Sequence, residues 1–186
     1  MKLIAYDITN LTDARYFAAR GAHMIGFSVE HSTIEEVNAI KDWVDVPAFF
    51  LHLPENPTAE LIWEWQDRTG VSSFLVSDIS DEVVVLFPKA QWISFLTPTQ
   101  KESYLDLSYI FINSSIGADS VSLANLSLNL NQDIPAYLEF SPYKSINLKE
   151  EKWISGVLIQ GSEEDKVGLK SYDEIDEFLD TIDLEY

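Results

Sequence analysis

Eight short apolar runs, separated by longer amphipathic stretches, restrict this chain more than any other feature. They are Leu3 to Tyr6, Met24 to Val29, Ala48 to Leu53, Ser73 to Val76, Trp92 to Leu96, Tyr109 to Ile112, Ala136 to Phe140 and Gly156 to Ile159. Each is short, β-branched or aromatic, and apolar on both faces, which suits a strand buried between a packed interior and an outer helical layer. Strand and helix signals that alternate in this way predict repeated βα units and a parallel sheet. The 186 residues fit one domain spanning 1–186, and a chain of that length can bury well over half of its unfolded surface in a single core.

The helix signals are clear at both ends of the chain and weak in its middle. Leu11 to Arg20 reads as a helix stopped by Gly21, since glycine takes the left-handed conformation at a helix end at little cost. Ser32-Thr33-Ile34-Glu35 reads as a capping box opening a helix that runs to about Trp43. Pro57 and Thr58 begin a third, which ends before Gly70 and turns Leu61, Ile62 and Trp65 to the core. A last helix is expected to start at Ser171 with Glu174 in the capping-box position, placing Tyr172, Ile175, Phe178, Leu179 and Ile182 on one face. Between them, Ser80 to Leu86 is short and β-branched, and 115–131 is rich in Ser, Asn and Leu without Glu or Lys. Helices there are expected to be shortened or missing. Trp63 and Trp65 stand two apart and so on different helix faces; one is expected against the core, the other exposed as a pointer to a protein contact.

Charge and composition narrow the partners. Twelve basic against 31 acidic groups give a net charge of −19, which repels nucleic acid and anionic membrane surfaces. No stretch approaches the roughly 18 to 20 apolar residues of a membrane span. The opening MKLIAYDITN meets Asp7 before an apolar run of signal length accumulates, so it reads as a first strand and the expected location is cytoplasmic. The absence of Cys removes disulfides, thiolate metal sites and the most nucleophilic side chain. From Ser162 onward ten carboxylates face two lysines, a run expected to be the solvated face of a terminal helix.

Two separated segments carry a resemblance to a known family. Ile4-Ala-Tyr-Asp-Ile-Thr-Asn10, then Asp13-Ala14 and Gly21-Ala-His-Met-Ile-Gly-Phe27, resemble the opening of phosphoribosylanthranilate isomerases: K-I-C-G-I-T-N, an Asp-Ala pair in the first helix, and G-A-D-x-x-G-F. Val167-Gly-Leu-Lys170 through Asp173, Ile175 and Phe178 is similar to the family's closing P-G-x-K-D-x-x-K-I-x-x-F. The resemblance covers about the first and last thirty residues. It implies an α/β fold, a (β/α)8 TIM barrel, here small because the chain falls under the roughly 200 to 250 residues usual for that architecture.

The resemblance also implies a reaction, an Amadori rearrangement in tryptophan biosynthesis, which needs two differently tuned acid/base groups facing each other. The family's Cys at the end of strand one falls at Tyr6, its neighbouring Gly at Asp7, and its strand-six Asp at Asn113. A phenol titrating near 10 replaces a thiol poorly, and an amide donates no catalytic proton. The family holds phosphate on Gly-rich loops after strands seven and eight; strand seven here runs into Leu138-Glu-Phe-Ser-Pro142 without a Gly pair. Strand eight keeps Gln160-Gly161-Ser162, followed by three carboxylates. The loop after strand two, Glu30-His31-Ser32, lacks the family's Arg, and Arg15, Arg20 and Arg68 all fall in outer helices. A dianion would rely on Lys144, Lys166 or Lys170.

Active sites of this architecture lie at the C-terminal strand ends, which places Tyr6, Asp7, Glu30, His31, His52, Asp78, Asn113, Glu139 and Gln160 at the mouth. Tyr6, Asp7 and Asn113 are the candidate catalytic positions; Gly161, Ser162, Lys144 and Gln160 are the candidate ligand-binding residues. Asp7 can serve as a base or as a loop cap. Tyr6 can act as a phenolic acid or fill the space of a lost substrate, plugging the barrel. His31 and His52 with Glu30, Glu55 or Glu139 would have to converge from distant segments to hold a metal, and no local spacing supports that. No metal and no cofactor is expected. The expected occupant is a small-molecule ligand at the mouth or a protein partner, with the inherited isomerase activity lost; an isomerase using Asp7 is the alternative.

Overall fold

The structure, a computed structural model, describes residues 1–77, 80–96, 107–113, 133–140, 148, 151–162, 170–182 and 184. Eight parallel strands close in sequence order into a barrel. They are β1 Lys2–Tyr6, β2 Ala22–Ser28, β3 Ala48–His52, β4 Ser73–Val76, β5 Gln91–Phe95, β6 Leu107–Ile112, β7 Ala136–Glu139 and β8 Ile154–Gln160. Every apolar run of the sequence becomes a strand, with its ends displaced by two residues or fewer. Closure is direct, because β1 pairs with β8 from Lys2↔Gly156 to Tyr6↔Gln160.

Outer helices are α1 Leu11–Ala19, α2 Ile34–Lys41, α3 Ala59–Thr69, α4 Asp81–Leu86 and α5 Asp173–Leu179. Gly21 takes φ +77 after α1, as its stop signal predicts. The capping box of α2 lies one residue later than expected: Thr33, not Ser32, accepts from the Glu36 backbone, and the Glu36 carboxylate returns to Thr33. Thr33 has the extended backbone that a cap requires. These bonds hold the Glu36 carboxyl below its ordinary range. The helix also stops at Lys41, short of Trp43. At the C-terminus no capping box forms, since α5 starts at Asp173 and the Ser171 hydroxyl pairs with Asp173 rather than Glu174. The exposed acidic side chains of α5 partly face Arg20, which meets Asp180 at 3.1 Å and Asp176 at 3.7 Å. The middle of the chain holds the shortened α4, capped by Ser80; 115–131 lies outside the described residues. Trp65 is buried and Trp63 is 55% exposed, its ring tilted on Phe87. Among the described residues no helix is long and apolar enough to cross a membrane.

Alternate strand residues divide the core. Leu3, Ala5, Ile25, Phe27, Leu51, Phe74 and Val157 face the helices. Ile4, Tyr6, Met24, Phe50, Leu75, Ile93, Phe111, Tyr137 and Leu158 fill the interior. Edge-to-face rings link the interior from bottom to top: Tyr109 to Tyr137, Tyr137 to Phe111, Phe111 to Phe95, and Phe95 to Tyr6, with centroids 5.8 to 6.1 Å apart. Such geometry sets the positive edge of one ring against the negative face of the next. Phe50 joins this column at Phe111, and the tip of its ring occupies the space that a Cβ on Gly26 would need.

Gly26→Ala is therefore expected to lower stability by about 1 to 3 kcal/mol through overpacking, and pairing it with Phe50→Leu should recover part of the loss in chemical denaturation. A pH effect arises at the barrel bottom, where Lys2 Nζ lies 3.3 Å from His23 Nε2. Burial first, then the Lys2 charge, pushes the His23 pKa below its ordinary 6.5. A folded value below the unfolded one contributes stability that is present at higher pH and lost as the unfolded state takes up its proton. Wild type should thus lose more stability than His23→Gln when the pH is lowered from about 7.5 to about 5.5, as read from urea midpoints.

Candidate functional site

The mouth is built by the strand ends, two residues beyond the buried interior. Tyr6 follows Ile4 there, His52 follows Phe50, Phe95 follows Ile93, Glu139 follows Tyr137 and Gln160 follows Leu158. Tyr6 is 4% exposed; its ring meets Phe95 edge-on, and its hydroxyl donates to the Glu139 carboxylate two strands away. Burial chiefly, then the Glu139 hydrogen bond and the Glu139 and Asp7 charges, push its pKa well above the ordinary 10. The phenol therefore stays protonated and serves as a donor.

Asp7 leaves β1 with φ +52, in the left-handed region, which short polar residues such as Asp tolerate better than most. That backbone turn aims its carboxylate along the mouth. Oδ1 lies 2.7 Å from His52 Nδ1, and Oδ2 accepts from Gln160 Nε2 at 3.2 Å. An ionised carboxylate only accepts, so the contact assigns the imidazole proton to Nδ1. Phe95 packs edge-on against the ring. Among the described residues His52 Nε2 has no hydrogen-bond partner. The Asp7 and His52 side chains keep 17% and 24% of their surface in solvent, so the pair can be approached.

A second cluster lies behind the first. Asp13, in the first turn of α1, is fully buried. Its carboxylate receives Lys170 Nζ at 2.6 and 2.8 Å, the Tyr172 hydroxyl at 2.6 Å and the Ser162 backbone N–H at 3.1 Å. Lys170 and the Asn10 amide both donate to the Ser162 carbonyl, each at 3.2 Å. Tyr172 also stacks on Tyr16 at 3.7 Å. Gly161 donates its N–H to the Tyr6 carbonyl at 2.8 Å, and a Cβ on it would stand 2.9 Å from the Asp7 carbonyl oxygen. Only glycine lets β8 pass so close to the turn at Asp7.

The structure thus brings together Tyr6, Asp7, His52, Glu139 and Gln160. Asn113 directly follows β6 at the same end, half-buried. Gly161 and Ser162 sit beside the mouth with their N–H groups already bonded inside the protein. Lys170, one of the three lysines on which a dianion would have to rely, is neutralised by Asp13. Glu30 and His31 are exposed in the loop between β2 and α2. Asp78, Lys144 and Lys166 lie outside the described residues. Arg15 is exposed on α1, Arg20 follows it, and Arg68 on α3 pairs with Glu35 and Glu64. Among the described residues no three His, Asp or Glu side chains converge to hold a metal. Sequence reasoning missed the Asp7–His52 contact and the role of Asp13; the only signal for the latter is that Asp13 and Lys170 both fall in the family-like segments.

No protein-family model and no curated protein matches the chain in sequence. Solved structures do match. A phosphoribosyl anthranilate isomerase from Thermus thermophilus superimposes with TM-score 0.72 at 16% identity, covering 97% of this chain and 98% of that one. TrpF from Jonesia denitrificans gives 0.75 at 16%, covering 97% and 96%. The Thermotoga maritima isomerase gives 0.73 at 15%, covering 97% and 98%. The likeness shows a shared barrel fold from end to end.

Lys170→Met would leave the buried Asp13 carboxylate without its counter-charge and is expected to cost about 3 to 5 kcal/mol, measured by urea unfolding. Asp7→Gly keeps the φ +52 turn and should unfold close to wild type. Asp7→Val should be less stable than Asp7→Gly by at least about 1 to 2 kcal/mol, because a β-branched side chain clashes in the left-handed region.

Proposed function

We propose that this phosphoribosylanthranilate isomerase-like barrel binds a small polar ligand at its mouth and no longer isomerises phosphoribosylanthranilate at an enzymatic rate. The observation that carries this reading is the state of the loop after β8. The family-like role of that loop is to offer backbone N–H groups to a phosphate. Here the Gly161 N–H is bonded to the Tyr6 carbonyl and the Ser162 N–H to the Asp13 carboxylate, so both donors are already occupied within the protein. Two further features support it. Tyr6, at the position of the family's thiol, is buried with its pKa raised and its hydroxyl directed at Glu139. An isomerase of this type also needs an acid facing the base, and the aligned position holds the amide of Asn113.

A second reading, an isomerase using Asp7 as its base, is favoured by one observation: Asp7 is a solvent-accessible carboxylate at the mouth, fixed by His52 and Gln160. Both readings are tested by following the loss of phosphoribosylanthranilate fluorescence with purified protein. The expected result is no turnover above the uncatalysed rate. Turnover at an ordinary enzymatic rate, on the order of 1 per second or more, would refute the first reading. In that case Asp7→Asn should lower it by about 100-fold or more if the second is correct.

A further inference from the structure

We propose that the imidazole of His52 is the acid–base group of the mouth, held by Asp7 as its positioning residue and acting on small, neutral carbonyl compounds. The inference rests on the reading of the mouth as a ligand site, and adds the reactive atom and the class of ligand. It comes from four observations on one pair of residues.

The carboxylate lies on Nδ1, at 2.7 Å, so the proton stays on Nδ1 and the lone pair on Nε2. A free imidazole has no such constraint, and a carboxylate that fixes tautomer and ring direction is what makes a histidine an effective base. The carboxylate is itself fixed: the left-handed turn at Asp7 and the Gln160 amide on its second oxygen leave it one orientation. The ring is held on its face by Phe95, which belongs to the aromatic column. Nε2, without a hydrogen-bond partner among the described residues, stays available to a ligand, and the side chain is about a quarter exposed. No other described histidine combines these features, since His23 sits at the barrel bottom beside Lys2 and His31 is exposed in a loop.

The surroundings select the ligand's charge. Asp7 and Glu139 are carboxylates at the mouth, and the nearest described cation, Lys170, is neutralised by Asp13. With a chain of net charge −19, phosphorylated or carboxylated compounds are disfavoured. Neutral compounds with a polarised carbonyl, able to accept the second proton of the Gln160 amide, are not.

The chemistry can be tested with p-nitrophenyl acetate, a neutral carbonyl probe. Nε2 takes a proton from water as the water oxygen bonds to the acetyl carbon. The bond to the aryl oxygen then breaks, p-nitrophenol and acetate are released, and the imidazolium returns its proton to solvent. Wild type should hydrolyse the probe faster than His52→Asn, in which the amide nitrogen keeps the Nδ1 position and its bond to Asp7 while Nε2 is gone. That variant retains the hydrogen bond to Asp7, so equal rates for the two proteins would overturn the proposal. Asp7→Gly should lower the His52-dependent rate by at least about tenfold. A parallel readout needs no ligand: nitrogen-15 NMR of the neutral protein should show the His52 proton on Nδ1 in wild type and predominantly on Nε2 in Asp7→Gly. A proton on Nε2 in wild type would also overturn the proposal. Neither result depends on phosphoribosylanthranilate turnover, so this inference and the functional reading above can fail separately.

Discussion

Everything at the barrel mouth depends on the burial of one charge, the carboxylate of Asp13. A carboxylate removed from water is tolerated only when it is paired and its lone pairs are satisfied. Lys170, Tyr172 and the Ser162 N–H meet that condition together, and they come from the far end of the chain. The bonds draw the end of β8 and the entry of α5 onto the first turn of α1. In doing so they fix Gly161 against the backbone of Asp7. The position of Asp7, and through it that of His52, follows from this clamp.

The clamp also shows where the two family-like segments meet. The Asp-Ala pair of the first helix and the Lys near the end are the parts of the two family-like segments that meet in space. Their partnership is structural, because it closes the barrel and neutralises a buried charge. Tyr6, Asp7 and Asn113 lie at positions the clamp does not use, and there the chain departs from the family. A resemblance carried by closure residues therefore speaks for the fold, and the chemistry has to be argued from the site.

Sequence reasoning reached the strands because a strand buried on both faces must be a short apolar run; Val83 to Phe87 has a similar form, but Ser80 caps it as the start of α4. It reached the ends of α1 and α3 because Gly21 and Thr58 signal locally. It failed by one residue at Thr33 and by two at α5, where adjacent Ser, Thr, Asp and Glu residues offer several caps of equal chemistry. Tertiary contacts choose among them: Tyr172 is held by Asp13 and Tyr16, so α5 cannot begin before it. The Asp7–His52 pair was illegible for a different reason. It joins residues 45 apart, and its geometry depends on a left-handed turn that an Asp does not announce as a Gly would.

That turn shows how a charge can be placed at the mouth within an undisturbed frame. The family-like motif has glycine where this chain has Asp7, and the backbone here keeps the φ > 0 conformation that glycine adopts freely. Asp is among the few side chains that can enter such a position without heavy strain. Once there, its carboxylate is projected across the mouth rather than along the strand, within reach of a residue two strands away. Asp7 brings a charge to the mouth while β1 pairs with β8 in continuous register through Tyr6↔Gln160. Tyr6 and Phe95 pack edge to face below the mouth, and Phe95 also meets the His52 ring. The same aromatic packing that closes the interior thus gives the imidazole its fixed orientation.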